Sequence, residues 1–382
     1  VEEAEGTAFS FYERMCHHTL NIMDERAYEF VCRLIDEYSS LFRSNLFNIN
    51  CDETFDLGKG RGKKLADQIG SHAMYIQWVN RVCEHVKSLG KRPMCWGDII
   101  AAHPETIREL PEDIICMTWD YSLAPGDTNV RKLWENGAHQ YLCPGVQGWN
   151  QTIHLLDIAY ENIKKMASFA HQFDGEGLLT TDWGDYGHLQ HPELALVGII
   201  YGAAFGWNSK IPEREEINAD ISVIEYGDRS ATLIEIISEM SNQAVMHWGE
   251  LVQFSETYRY QIAGKDMDTF WKGYLPRIET SLPHIVECNE TIRNDMAKVA
   301  ALLVQIEDDR REGIAPVLHM AEGQILINTI LRVLDREYLG HPDAYTGDTK
   351  ALAEALEIWY YEYRRQWHKI SRESELYRIG EL

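Results

Sequence analysis

Two adjacent carboxylates, Asp52 and Glu53, close an apolar run, Leu46-Phe47-Asn48-Ile49-Asn50-Cys51, and open a Gly- and Lys-rich loop that reaches Gly62. The run reads as a short buried strand and the loop composition as its end. Acids at the carboxyl end of a strand stand where parallel α/β barrels place their catalytic groups, and a carboxyl there can give and take protons. Inside a regular strand, neighbours point to opposite faces. At a strand end that alternation relaxes, so both acids can reach one pocket while approaching different atoms of a substrate.

The same punctuation recurs downstream. The strand 92–96 meets Trp96-Gly97-Asp98, 114–119 meets Trp119-Asp120-Tyr121, 140–143 meets Pro144-Gly145, and 177–181 meets Asp182-Trp183-Gly184-Asp185. Trp and Asp at several strand-to-loop junctions converge on one face of a sheet, which is how a barrel assembles a site. Cys16-His17-His18 offers two adjacent histidines, but neighbours diverge and no third ligand lies at helical spacing, so they read as loop residues.

The elements that must position these groups alternate. Helical spacing covers 24–42, with Asp24 as cap, then 67–89 stopped by Gly90, a short stretch at 105–110, 130–136, 155–172 and 192–205. Strands alternating with helices predict a parallel sheet with right-handed crossovers. From about Pro212 the strand signals vanish, and helical periodicities run through 221–227, 229–252, 267–280, 285–307, 315–335 and 349–376. The expected organisation is α/β over residues 1–211 and an all-α domain over 212–382. Trp359, Tyr360, Tyr361, Tyr363 and Trp367 enrich the last long helix; packing is the first expectation for them, and a homodimer interface the second.

A net charge of -24 over 382 residues disfavours nucleic acid and anionic membranes as partners. The eight cysteines form no C-x-x-C pair, and Cys51, Cys95, Cys116 and Cys143 fall in expected strands. This usage points to a reducing compartment, the cytoplasm, not a disulfide framework. No run reads as long or apolar enough to cross a membrane.

With Asp-Glu at a strand end, the chain resembles the β-N-acetylhexosaminidases of glycoside hydrolase family 20. That family's strand four ends in Asp-Glu, usually after His-x-Gly-Gly; here Asn48-Ile49-Asn50-Cys51 stands in that place. Thr19-Leu20-Asn21 with the helix into Phe42 resembles the approach to strand four. Trp96 and Trp119 resemble pocket walls, Trp183-Gly184-Asp185 the Trp-x-Glu of strand eight, and Trp207-Asn208 the close of the last barrel helix. The helical remainder resembles the exo-acting N-acetylglucosaminidase branch in architecture.

The resemblance implies strands four to eight of a (β/α)8 TIM barrel, with strands one to three expected upstream. It implies Glu53 as general acid and then base, and Asp52 as acceptor of the substrate's 2-acetamido N–H while that group attacks the anomeric carbon. Trp96, Trp119, Trp149 and Trp183 would wall the acetamide and stack on the sugar, and Asp185 would bind outer hydroxyls. For the family's acetamide-binding Tyr, both Tyr121 and Tyr141 are candidates, with Tyr121 preferred. The expected partner is an oligosaccharide or glycoconjugate ending in N-acetylhexosamine, with no cofactor and no metal. Rival readings are a metal-dependent barrel hydrolase drawing on His103 or His188, and a catalytically silent sugar-binding barrel.

Overall fold

A computed structural model describes residues 19–208, 210–260, 266–306, 308–373 and 376–382. Cys16-His17-His18 lie outside them. The chain divides into two compact units: residues 1–144 with 164–179, and residues 145–163 with 180–382.

The first unit holds a five-stranded, all-parallel sheet in sequence order: β1 (Leu46–Asn48), β2 (Arg92–Trp96), β3 (Ile115–Trp119), β4 (His139–Cys143) and β5 (Gly177–Leu178). The sheet is curled and open, a half-barrel with β1 and β5 at its edges. Its helices are α1 (Glu25–Ser39), α2 (Lys63–Ile69), α3 (Ser71–Ser88), α4 (Asp98–Ala102), α5 (Thr128–Glu135) and α6 (Leu156–Gln172), of which residues 164–172 belong to this unit.

Local chemistry explains the boundaries. Asp24 caps α1 by accepting the Arg26 N–H at 3.0 Å. The expected helix 67–89 is in fact two, because Gly70 sits at φ 85°, a conformation that breaks the hydrogen-bond run and that glycine adopts without penalty. One face of α3 carries Tyr75, Ile76, Val79 and Cys83 onto Cys95, Ile114 and Cys116 of the sheet layer. Val79 and Cys83 are fully buried, and each such apolar side chain contributes roughly 1–3 kcal/mol. Farther along the sheet, Leu142 packs with Met166, Phe169 and Phe173. The expected strand 46–51 keeps ladder geometry only to Asn48, since Asn50 and Cys51 turn to positive φ. The strand expected over 177–181 pairs only at 177–178, with one further bridge from Gly145 to Thr181 inside the second unit.

Among its described residues the second unit has helices and no strand. Besides residues 156–163 of α6 and one helical turn at Asp185–His188, the α-helices are α7 (Leu196–Trp207), α8 (Arg214–Ile224), α9 (Leu233–Ser241), α10 (Trp248–Tyr260), α11 (Met267–Ile278), α12 (Ile285–Leu303), α13 (Asp308–Leu334), α14 (Thr349–Ile370) and α15 (Leu376–Gly380). The expected helix 229–252 is interrupted: the buried Asn328 side chain accepts the Val245 N–H at 3.1 Å and donates to the Gln243 carbonyl at 3.0 Å, holding a turn between α9 and α10. Thr152 Oγ1 donates to Gln324 at 2.7 Å, which fixes another polar group on α13.

The sequence expectation on membrane-crossing runs needs correction. The helix through residues 310–339 is long and apolar enough to cross a membrane by length and composition alone. However, 67% of its apolar window is buried inside the fold, so α13 is a core helix of this unit. The aromatic helix α14 turns Trp359, Tyr363 and Trp367 inward, with the Trp359 indole N–H donating to the His319 carbonyl at 2.8 Å. Gly323 makes room for it, since a Cβ there would stand 2.8 Å from the Trp359 ring.

Candidate active site

In the first unit the site begins where β1 stops. Ile49 N–H still donates to the Met94 carbonyl at 2.8 Å, and Trp96 N–H to the Asn50 carbonyl at 3.0 Å. The backbone then turns left-handed at Asn50 (φ 60°), Cys51 (φ 73°) and Glu53 (φ 46°). For residues other than glycine this conformation costs about 1–2 kcal/mol each, least for Asn. The surroundings hold it. Buried Tyr75 donates its hydroxyl to the Cys51 carbonyl at 2.9 Å, and Asn48 Oδ1 accepts the Asn50 N–H at 2.9 Å. Asp98 Oδ2 accepts the Glu53 N–H at 3.1 Å. Asp52 and Glu53 are both half-buried. The adjacent Cys51 thiol is pushed up to about 12 by burial, with the Asp52 and Asp98 charges adding, so it stays a neutral apolar group.

Asp98 opens α4 at the end of β2, and its carboxyl is raised above the usual range. Burial is the main cause and the charge of Asp52 adds to it, while the amide N–H groups of Glu53, Asp98 and Ile99 pull the other way. The sequence reading noted Asp98 at a strand end but gave it no role. The signal available was its position, two residues beyond the last strand residue of β2.

Trp96, at the end of β2, is 4% exposed and belongs to the core layer. Trp119 and Tyr121, at the end of β3, stack at 5.3 Å between centroids with 18° between planes, forming one flat half-buried aromatic wall. Asp120 between them accepts the Ser122 N–H at 2.9 Å and the Ser122 hydroxyl at 2.7 Å, which fixes the loop that carries Tyr121. Tyr141 lies mid-strand with its ring over Gly177, where a Cβ would stand 2.6 Å away. Between the inner strands β3 and β4, buried Thr118 donates to Gln140 at 2.8 Å, and Gln140 to the Val130 carbonyl at 3.0 Å.

Trp149, Trp183 and Asp185 belong to the second unit. Gln147 (φ 60°) and Asn150 (φ 62°) shape the loop around half-buried Trp149. Gly148 packs against buried His154, where a Cβ would meet Nε2 at 2.1 Å. The Asn150 side chain hydrogen-bonds Asp185, whose carboxyl is raised by burial and partly restored by that bond. Trp183 offers its carbonyl to the Gln190 side chain. The chain kinks at Tyr186 (φ 49°) and Gly187 (φ 97°), a turn pinned by the Trp248 indole N–H donating to the Tyr186 carbonyl at 2.8 Å. Asn150, which sequence reasoning did not single out, thus links the loop of Trp149 to Asp185. Among the described residues, no three His, Cys, Asp or Glu side chains gather as a metal site.

A parallel half-barrel with paired acids and an aromatic wall at its strand ends has the arrangement of the (β/α)8 barrel class, whose sites gather at the carboxyl ends of the strands. Residues 2–167 match the family model described as glycosyl hydrolase family 20, catalytic domain. The chain is also similar to a solved structure of an inactive mutant of a GH20 exo-β-N-acetylglucosaminidase from Vibrio harveyi. That match has 14% identity and a TM-score of 0.39, covering 58% of this chain and 36% of that one. The enzyme from the same organism in complex with N-acetylglucosamine matches at 12% identity and a TM-score of 0.39, covering 58% and 36%. The chain therefore spans about a third of the length of those solved chains.

Proposed function

We propose that the chain supplies the acid and the acetamide-binding carboxylate of a retaining, exo-acting glycosidase that removes terminal β-linked N-acetylhexosamine. The observation that carries this reading is the Asp52-Glu53 pair, held in a tethered left-handed turn at a strand end, within a stretch matched to the family 20 catalytic domain. Most retaining glycosidases use two separated carboxylates; family 20 is a substrate-assisted exception, and two adjacent acids suit that exception.

In this reading Glu53 protonates the leaving glycosidic oxygen and later takes a proton from the attacking water. The substrate's 2-acetamido oxygen attacks the anomeric carbon as the glycosidic bond breaks, giving an oxazolinium ion. Asp52 accepts the acetamido N–H and balances the positive charge that develops on that ring. The Trp119–Tyr121 wall suits the apolar face of a sugar ring. For Trp96, Trp149, Trp183 and Asp185 the proposed roles stay those of the family: acetamide walls and hydroxyl recognition. Beside the free edge of β1, a groove of about 680 Å³ lined by Leu34, Ile35, Tyr38, Phe47 and Trp78 is the place proposed for the upstream part of the same barrel.

The test is a panel of aryl β-glycosides, with and without the 2-acetamido group, assayed on the full-length protein. Only the acetamido substrates are expected to turn over. Glu53→Gln should lose roughly 10²–10⁴-fold on poor leaving groups and far less on activated ones. Turnover of plain glucosides, or an equal loss on both leaving-group classes, overturns the mechanism.

A further inference from the structure

We propose that Asp98 is a positioning residue for the acid: by holding the backbone amide of Glu53 it fixes where the Glu53 carboxyl stands. This rests on the glycosidase reading of Asp52-Glu53. The placement follows from strand register. Asn48 pairs with Met94, and Trp96 N–H reaches the Asn50 carbonyl, so the residues that follow β2 run beside the turn that carries Asp52 and Glu53. Its Oδ2 takes the Glu53 N–H at 3.1 Å, joining the start of α4 to the turn that carries the acids. Because Asp98 opens α4 directly after β2, the acceptor is carried on a helix start and cannot swing to solvent without giving up that bond.

Two features point to a role beyond opening α4, whose N-cap is Gly97. First, Oδ1 of Asp98 is buried and has no hydrogen-bond partner. An unpaired carboxylate oxygen is costly, and a Ser or Thr would serve the helix start without that cost. Second, Glu53 occupies the left-handed region at φ 46°, where its amide would relax without an acceptor in this position. Tyr75 holds the turn from the Cys51 side and Asp98 from the Glu53 side, so the acid is bracketed by two part-buried tethers. A carboxyl that must meet a glycosidic oxygen at hydrogen-bond distance loses rate steeply when its backbone shifts by an ångström.

The experiment compares wild type with Asp98→Ala, Asp98→Ser and Asp98→Asn in the full-length protein. Asn retains a carbonyl oxygen in reach of the Glu53 amide; Ala and Ser do not. Hydrogen exchange of the 50–56 segment should quicken about tenfold in Ala and Ser and stay within about threefold in Asn. On an aryl 2-acetamido glycoside with a poor leaving group, kcat should fall about 10²-fold in Ala and Ser with KM within about threefold, and Asn should recover most of it. If the alanine variant fails to fold, the serine variant carries the comparison. Unchanged exchange and kcat in Ala or Ser overturn the proposal. So does an Asn variant as slow as Ala with the Glu53 amide still protected, because the charge and not the bond would then be acting. Wild type inactive on every acetamido glycoside refutes the glycosidase reading instead, and the exchange comparison still decides whether Asp98 holds Glu53.

Discussion

Replacing Tyr75 by Phe removes one hydroxyl from the turn that carries the acids. Tyr75 is 2% exposed and otherwise packs in the core beneath β2 and β3, so the ring should keep its place. Burial pushes its phenol far above the usual range, so the O–H remains a donor at every working pH. The bond to the Cys51 carbonyl spans 2.9 Å, and that carbonyl precedes Asp52 directly. Losing a buried bond of this kind and leaving its acceptor unpaired costs about 1–2 kcal/mol. That is close to the cost of one left-handed residue in this turn, so the remaining tethers keep the fold while the turn loosens. The population of the released turn should rise roughly five- to thirtyfold. Urea unfolding should report a loss of about 1–2 kcal/mol, exchange of the 50–56 segment should quicken, and kcat on poor leaving groups should fall more than on activated ones. Because Tyr75 and Asp98 hold the same turn, Tyr75→Phe combined with Asp98→Ala should be non-additive by about 0.5 kcal/mol or more. A Tyr75→Phe variant within about 0.3 kcal/mol of wild type, with unchanged exchange at 50–56, would show that the turn stands without its tether and refute the reasoning.

Three further outcomes follow from the second unit. Gly202→Ala places a Cβ 1.9 Å from Thr180 Oγ1, so α7 must shift, and thermal denaturation should show a loss of about 2 kcal/mol or more; an unchanged Tm contradicts that packing. Asn328→Ala strips partners from Val245, Gln243 and buried Asn289 together, and chemical denaturation should register a loss of about 2–4 kcal/mol, against less than about 1 for an isolated surface amide. His191 is lowered to about 4 by burial, with Lys369 adding, so the unfolded chain takes up its proton first as pH falls. Stability should therefore decline from pH about 6.5 toward 4, and His191→Gln should flatten that part of the profile in pH-dependent unfolding; an equally steep decline in the variant removes His191 as the cause.

The sheet was legible because short apolar runs such as 94–96 and 114–117 stand between helices of clear period, which is how buried parallel strands read. What local pattern missed was set by contacts distant in sequence. The break between α9 and α10 follows from Asn328, far along the chain, which supplies the turn's hydrogen bonds in place of a helix. Gly70 was visible in the sequence, but the apolar spacing around it outweighed one glycine. The length of α13 was readable, yet only its burial tells a core helix from a spanning one.

The acid pair shows the same division more sharply. Its residue types and its place at a strand end were readable, while the turn that holds it was not, since nothing local predicts three left-handed non-glycine residues between 50 and 53. That conformation exists because β2 lies alongside β1, bringing the Trp96 amide to Asn50 and the Asp98 carboxylate to Glu53. Sequence reasoning treated each strand end separately, so Asp98 looked like the punctuation of its own strand. Once β2 is known to lie beside β1, the start of α4 falls next to the acid turn, and Asp98 stands as a third acid close enough to feel the charge of Asp52. A fold that only needed to start α4 would not accumulate that charge, since Asp98 makes no capping bond there. The amide of Glu53 supplies the reason to keep a carboxylate there, because a loop in strained geometry holds its position only while each tether has an acceptor.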